Sequence, residues 1–181
     1  MTQRFRVLYD EGAINARLNL LADQIAAELP NDLLAIAILK GSFVFAADLI
    51  RAFHARGMQP EVDFMILSSY GTGTISRGEV TLVRDCEIDV AGRGVLLIDD
   101  ILDSGRTLAF ASRHLREKGA KTVKTCVLLD KRGPKGANGA VADFAGFACP
   151  DDFVVGYGMD NAHRYRELPY VAVVEPQGDK G

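Results

Sequence analysis

Residues 95–108 constrain this chain more than any other stretch. Val95, Leu96, Leu97 and Ile98 form an unbroken apolar run, which suits a strand covered on both faces, as in a parallel sheet. Polarity then switches abruptly at Asp99 and Asp100, placing two carboxylates at the strand's carboxyl end, where open α/β sheets bind their ligands. Asp103, Ser104, Gly105, Arg106 and Thr107 follow, small and donor-rich, just before a helical pattern carried by Leu108, Ala111 and Leu115. Unpaired amides and the dipole at such a helix start attract a phosphate. Gly105 lets the backbone approach a ligand closely, and the Ser104 and Thr107 hydroxyls add donors. One segment thus offers carboxylates for hydroxyls or a metal and amides for a phosphate, and a sugar phosphate needs both.

Three other architectures share an apolar strand ending in acid. A Walker B strand needs G-x-x-x-x-G-K-[ST] elsewhere, and the sequence has none. A response-regulator phospho-acceptor carries its acidic pair after the first strand, not mid-chain. A dinucleotide fold needs G-x-G-x-x-G after its first strand, also absent. An ordinary N-capped helix needs one cap residue, Asp103 or Ser104, and leaves the rest of the cluster unexplained.

The remaining sequence frames this segment. Its 181 residues fit one domain, taken as 1–181, with interior enough for a five- or six-stranded sheet and its helices. A formal net charge of −3 leaves no basic excess for a nucleic-acid backbone, so no nucleic-acid partner is expected. The longest strongly apolar run, residues 33–39, is too short for a bilayer, and the N-terminus shows no apolar signal region. Cys86, Cys126 and Cys149 are odd in number and widely spaced, which suits reduced thiols and a cytoplasmic location.

Residues 11–29 carry Ile14, Leu18, Leu21, Ile25 and Leu29 at helical spacing, closed by Pro30. Residues 33–39 read as the first buried strand, running into Lys40, Gly41 and Ser42, and a second helix follows through Phe43, Ala47, Ile50 and Phe53. Lys40 and Gly41 are either a solvated strand end or a second set of groups facing an anion. Residues 61–69 alternate weakly and predict a strand. The following stretch, about 69–79, is rich in Gly, Ser and Thr with Ser69 and Tyr70 at its stem; it is either a plain connection to a strand near 79–84 or an active-site lid. Residues 121–129 predict the next parallel strand, ending in a basic cluster that includes Lys131 and Lys135. Near the C-terminus an edge strand from Phe153, a turn and a last strand over 171–174 close the pattern.

The segment 99–107 resembles the phosphoribosyl-diphosphate (PRPP) motif of type I phosphoribosyltransferases, in the form used by the hypoxanthine-guanine branch. Phe153, Val154, Val155, Gly156, Tyr157, Gly158, Met159 and Asp160, with Tyr165, Arg166, Glu167, Leu168 and Pro169, resemble the hood of the same enzymes, and the likeness spans about 5–175. It implies a type I phosphoribosyltransferase fold: an α/β, mainly parallel twisted sheet flanked by helices, with a small hood built mainly from about 135–181 plus the N-terminus. It implies Mg²⁺-dependent transfer of a 6-oxopurine onto PRPP, releasing pyrophosphate.

Roles follow from the matched positions. Lys40 and Gly41 would contact pyrophosphate, often through a non-proline cis peptide in this family. Asp99 and Asp100 would hold the ribose hydroxyls, and residues 103–107 the 5′-phosphate. Asp103 would be the general base near purine N7. Lys131 would donate to the 6-oxo group, Phe153 would stack on the base, and the Val154 backbone would read its edge. Asp160 would sit on the purine side and hold magnesium, with Asp99 and Asp100 as further candidate ligands; Arg166 would grip pyrophosphate. Ser69 and Tyr70 would belong to the lid, and His163 to the surface. The family implies a homo-oligomer, dimer or tetramer. Two rivals remain: a PRPP-sensing regulator of the same fold, and a transferase for xanthine, adenine or uracil. Lys131 argues against adenine, while hypoxanthine and guanine are not separated.

Overall fold

A computed structural model describes residues 3–69, 80–131 and 141–175. The chain runs β1 (Phe5–Tyr9), α1 (Glu11–Glu28), β2 (Leu34–Leu39), α2 (Phe43–His54), β3 (Glu61–Ser69), β4 (Val80–Arg84), β5 (Gly94–Leu102), α3 (Arg106–Glu117), β6 (Thr122–Asp130), β7 (Phe144–Ala148), β8 (Val154–Val155) and β9 (Val171–Val174). Six strands form one sheet in the order β4-β3-β2-β5-β6-β7, parallel except for β4 at the edge.

The apolar runs explain the layering. Successive side chains of a strand point to opposite faces, and both faces here are covered. Leu33, Ala35 and Ala37, Leu96 and Ile98, and Cys126 and Leu128 pack with Ile14, Leu18, Leu21 and Ile25 of α1 and Phe45, Leu49 and Phe53 of α2. The alternate set, Leu34, Ile36, Ile38, Val95, Leu97 and Val127, packs with Leu108, Ala111 and Leu115 of α3. A strand buried on both sides can afford no polar position until its end, which is why the apolar run of β5 is unbroken up to Asp99.

The helices start and stop where the local chemistry allows. The Asp10 carboxylate caps α1 by accepting from the Ala13 amide at 2.8 Å, and Leu29 followed by Pro30 ends it. The guanidinium of Arg17 leaves α1 to donate to the Gly146 and Ala145 carbonyls, both at 2.6 Å, tying the helix to β7.

A second, antiparallel sheet, β1-β9-β8, stands beside the first. The region expected as hood therefore divides: β7 extends the central sheet, whereas β8 and β9 join the N-terminal β1. Two strands lacked a sequence forecast, β1 and β7. The expected strand at 95–98 also proves longer, because β5 continues through Asp99 and Asp100 to Leu102. Residues 70–79, with Tyr70 and most of the expected lid, and residues 132–140, with Lys135, lie outside the described residues, as does the Ser69 side chain. Among the described residues no helix is long and apolar enough to cross a membrane.

Candidate active site

Parallel strands place their carboxyl ends along one edge, and the backbone locks these ends together. The Lys131 amide donates to the Leu102 carbonyl at 2.9 Å, and the Cys149 amide to the Asp130 carbonyl at 2.8 Å. The ends of β5, β6 and β7 thus form one shelf, with the β2–α2 turn beside it.

That turn comes within touching distance of the acidic pair. The Leu39–Lys40 peptide is cis, the Lys40 side chain is exposed, and a Cβ on Gly41 would overlap the Asp100 carboxylate. On its other side, the Gly41 carbonyl occupies the space that a Cβ on Gly158 would need. Two glycines therefore allow the turn, the β5 carboxylates and the hood to meet.

The acidic pair is short of positive charge. Asp99 is 6% exposed; burial, and then the neighbouring Asp100 charge, push its carboxyl well above the usual range. Burial raises Asp100 as well, offset in part by hydrogen bonds and by the Arg166 charge. The Asp99 and Asp100 carboxylates each accept a backbone amide, from Asp100 at 3.0 Å and Ile101 at 2.9 Å. A buried and a half-buried carboxyl, both resisting ionisation, suit a cation or hydroxyl donors. Among the described residues no three His, Cys, Asp or Glu side chains gather closely enough to hold a metal ion by themselves. A magnesium ion held by one or two carboxylates plus substrate oxygens fits such a donor set, because Mg²⁺ keeps waters and seldom takes an all-protein cage.

Next to the pair, α3 begins with its amides open. Gly105 is the N-cap residue with φ 77° and provides no capping side chain, so neither Asp103 nor Ser104 takes the conventional cap role. The Ser104 hydroxyl accepts only a long bond from the Arg106 amide, 3.5 Å. Asp103, Ser104 and Arg106 are exposed and Thr107 is half-buried. Amides that lack an internal partner are what an anion needs.

The hood supplies the opposite wall. Arg166 lies 2.7 Å from Asp160 and donates to the Gly158 carbonyl at 2.6 Å, while Asp160 also accepts the His163 amide at 2.7 Å. Asp160 and Arg166, assigned separate ligands from the sequence, here neutralise each other. The His163 side chain is on the surface. Tyr157 anchors the segment: its phenol donates to Asp48 of α2 at 2.7 Å, and burial followed by that carboxylate push its pKa up. Phe153 presents its ring, 57% exposed, next to buried Val154, which pairs with Val173. The Lys131 ammonium reaches the same loop, donating to the Asp152 carbonyl at 2.6 Å. Asp48 and Asp152 carry no sequence signal, since they meet Tyr157 and Arg6 across large separations in the chain.

The model of the phosphoribosyl transferase domain matches residues 8–162. The chain belongs to the phosphoribosyltransferase family. It is 44% identical over 173 residues to the hypoxanthine-guanine phosphoribosyltransferase of Bacillus subtilis, covering 94% of this chain and 93% of that protein. The bifunctional protein TilS/HprT of Listeria innocua is 42% identical over 95% of this chain, but the chain spans only 26% of that relative's length. Among solved structures, a hypoxanthine-guanine phosphoribosyltransferase from Bacillus anthracis superposes with a TM-score of 0.84 at 37% identity, covering 96% of this chain and all of the other. The architecture is thus the type I phosphoribosyltransferase fold.

Proposed function

We propose that the chain is a purine phosphoribosyltransferase of the hypoxanthine-guanine type, joining hypoxanthine or guanine to PRPP and releasing pyrophosphate. The observation that carries this reading is the close approach of Gly41 to the Asp100 carboxylate, followed along the chain by the open start of α3, with the Lys131 ammonium held by the loop that presents the exposed Phe153 ring. The relatives' names point the same way.

Departure of pyrophosphate from C1′ builds positive character on the ribose ring and negative charge on the leaving oxygens. Asp99 and Asp100 accept hydrogen bonds from the 2′ and 3′ hydroxyls and fix the ring, and the 103–107 amides and hydroxyls hold the 5′-phosphate. Lys40, the Gly41 amide and Arg166 receive the pyrophosphate, Arg166 through its fork. Asp160, with Asp99 and Asp100, would hold the magnesium ion that this family generally uses, and that ion neutralises charge on the leaving group when bound. Lys131 donates to the 6-oxo group, Phe153 stacks on the base and the Val154 backbone reads its edge. Asp103 takes the proton from N7 as N9 attacks C1′. We further place the enzyme in the cytoplasm, as a single 1–181 domain assembled into a homo-oligomer; light scattering of the purified protein tests the last point, and a monomeric mass would contradict it.

The test is pyrophosphate release from PRPP with Mg²⁺, offering hypoxanthine, guanine, xanthine, adenine and uracil one at a time. Turnover with 6-oxopurines alone is expected. PRPP binding with no turnover of any base would make the chain a sensor rather than a transferase.

A further inference from the structure

We propose that Arg6 and Asp152 form a strut that sets the Lys131 ammonium and the Phe153 ring, making both positioning residues for the purine. This inference rests on the purine role of Lys131 proposed above.

Lysine is a point charge on a flexible four-carbon stem, so a specific contact requires something that holds it. Here the holder is the Asp152 carbonyl, 2.6 Å from Lys131 Nζ. That bond uses one of the three donors of the ammonium, and it is the only side-chain hydrogen bond of Lys131 among the described residues. A backbone carbonyl is only as well placed as its loop, and the 149–153 loop is braced at three points. Its start is fixed by the Cys149 amide on the Asp130 carbonyl. Its end runs into β8, where Val154 pairs with Val173 of β9. At its middle, Asp152 Oδ2 meets the Arg6 guanidinium at 2.9 Å. Arg6 belongs to β1 and is itself paired with Val173, so the middle and end braces converge on Val173 of the second sheet.

The direction of the effect follows. Without Arg6, the Asp152 carbonyl loses its lateral support; Lys131 regains rotamer freedom that must be lost again on binding, and the adjacent Phe153 shifts with it. The Arg6 and Asp152 side chains are 53% and 40% exposed, and ion pairs so exposed contribute little to global stability. The strut therefore acts on the purine and not on the fold. The Arg6 and Asp152 side chains contact each other and not Gly41, Asp100 or the start of α3, so KM for PRPP should not change on loss of the strut.

The experiment compares the wild type with Arg6→Ala, Asp152→Ala and the conservative Arg6→Lys. KM for hypoxanthine is expected to rise about fivefold in both alanine variants, with KM for PRPP and the melting temperature unchanged, and to return most of the way in Arg6→Lys. A hypoxanthine KM equal to that of the wild type overturns the strut, and so does an equal rise in both KM values. A second readout needs no turnover: the rate at which Lys131 is reductively methylated, mapped by mass spectrometry, should increase in Arg6→Ala. An unchanged rate overturns the strut even if the wild type turns over no purine, whereas absence of wild-type turnover alone refutes only the parent reading.

Discussion

At Gly41 the β2–α2 turn lies so close to the Asp100 carboxylate that a single methyl group would overlap it. Gly41→Ala must therefore displace either the turn or the acidic pair, and a misplacement of about 1 Å at a reacting centre costs about a hundredfold in rate. Turnover should fall by that order, and wild-type kinetics in this variant would show that the contact is irrelevant. Asp103 is exposed beside the open start of α3. As a general base it should account for about a hundredfold in kcat, so Asp103→Asn is expected to lower kcat to that extent with PRPP affinity little changed; unaltered turnover would rule the role out. Phe153→Ala removes a stacking surface worth about 1–3 kcal/mol. Initial-rate kinetics should show KM for the purine rising about tenfold while KM for PRPP holds. Residue identities such as Lys131 and Asp100 were legible because they stand directly after apolar strand runs. Their partners were not. The Asp152 carbonyl that holds Lys131, and the Asp160–Arg166 pair, depend on where separate strands end in space.

Elements were legible where their apolar residues form a run or a regular spacing. β2 and β5, covered on both faces, announce themselves as apolar runs, and α1 by its helical spacing. β7 escaped notice because Phe144–Ala148 interrupts two aromatics with alanine and glycine, giving neither alternation nor β-branched residues; it becomes a strand by pairing with β6 and accepting Arg17 on its carbonyls. β1 was hidden because its partner is the last strand, at the far end of the chain. The connection from β4 to β5 has an electrostatic fastening to α3. Asp85 accepts Lys118 at 2.8 Å and His114 at 2.9 Å. Burial alone would raise its carboxyl, but the hydrogen bonds from Lys118, His114 and Cys86 outweigh burial and hold it at about 2, below its ordinary 3.8. A group whose pKa is lowered by folding adds stability above its unfolded value and loses it as the pH falls through the folded one. Asp85→Asn should then cost about 1 kcal/mol at neutral pH, a figure discounted for the partial exposure of the cluster. Urea titrations should show the gap between variant and wild type closing between about pH 4 and pH 2. A gap independent of pH would mean that the cluster acts by packing alone.

On the scale of the whole molecule, the proposed reading puts the ribose and 5′-phosphate contacts and Lys131 on the central sheet's edge, and Phe153, Val154 and Arg166 on the segments that feed the small antiparallel sheet. They meet where the Gly41 carbonyl fills the space beside Gly158 and where Tyr157 donates to Asp48. This arrangement predicts that damage to the 149–154 loop changes purine use, and damage at Gly41, Asp100 or the start of α3 changes PRPP use. On the proposed reading, the purine side selects a 6-oxo group through the Lys131 ammonium donor. Adenine offers a donor at that position, so both groups would be left unpaired. The most direct measurement is the ratio of kcat/KM for hypoxanthine to that for adenine at saturating PRPP and Mg²⁺. Hypoxanthine should be preferred by about a thousandfold or more, and the preference should collapse in Lys131→Gln; comparable values for the two bases in the wild type would rule out selection by Lys131.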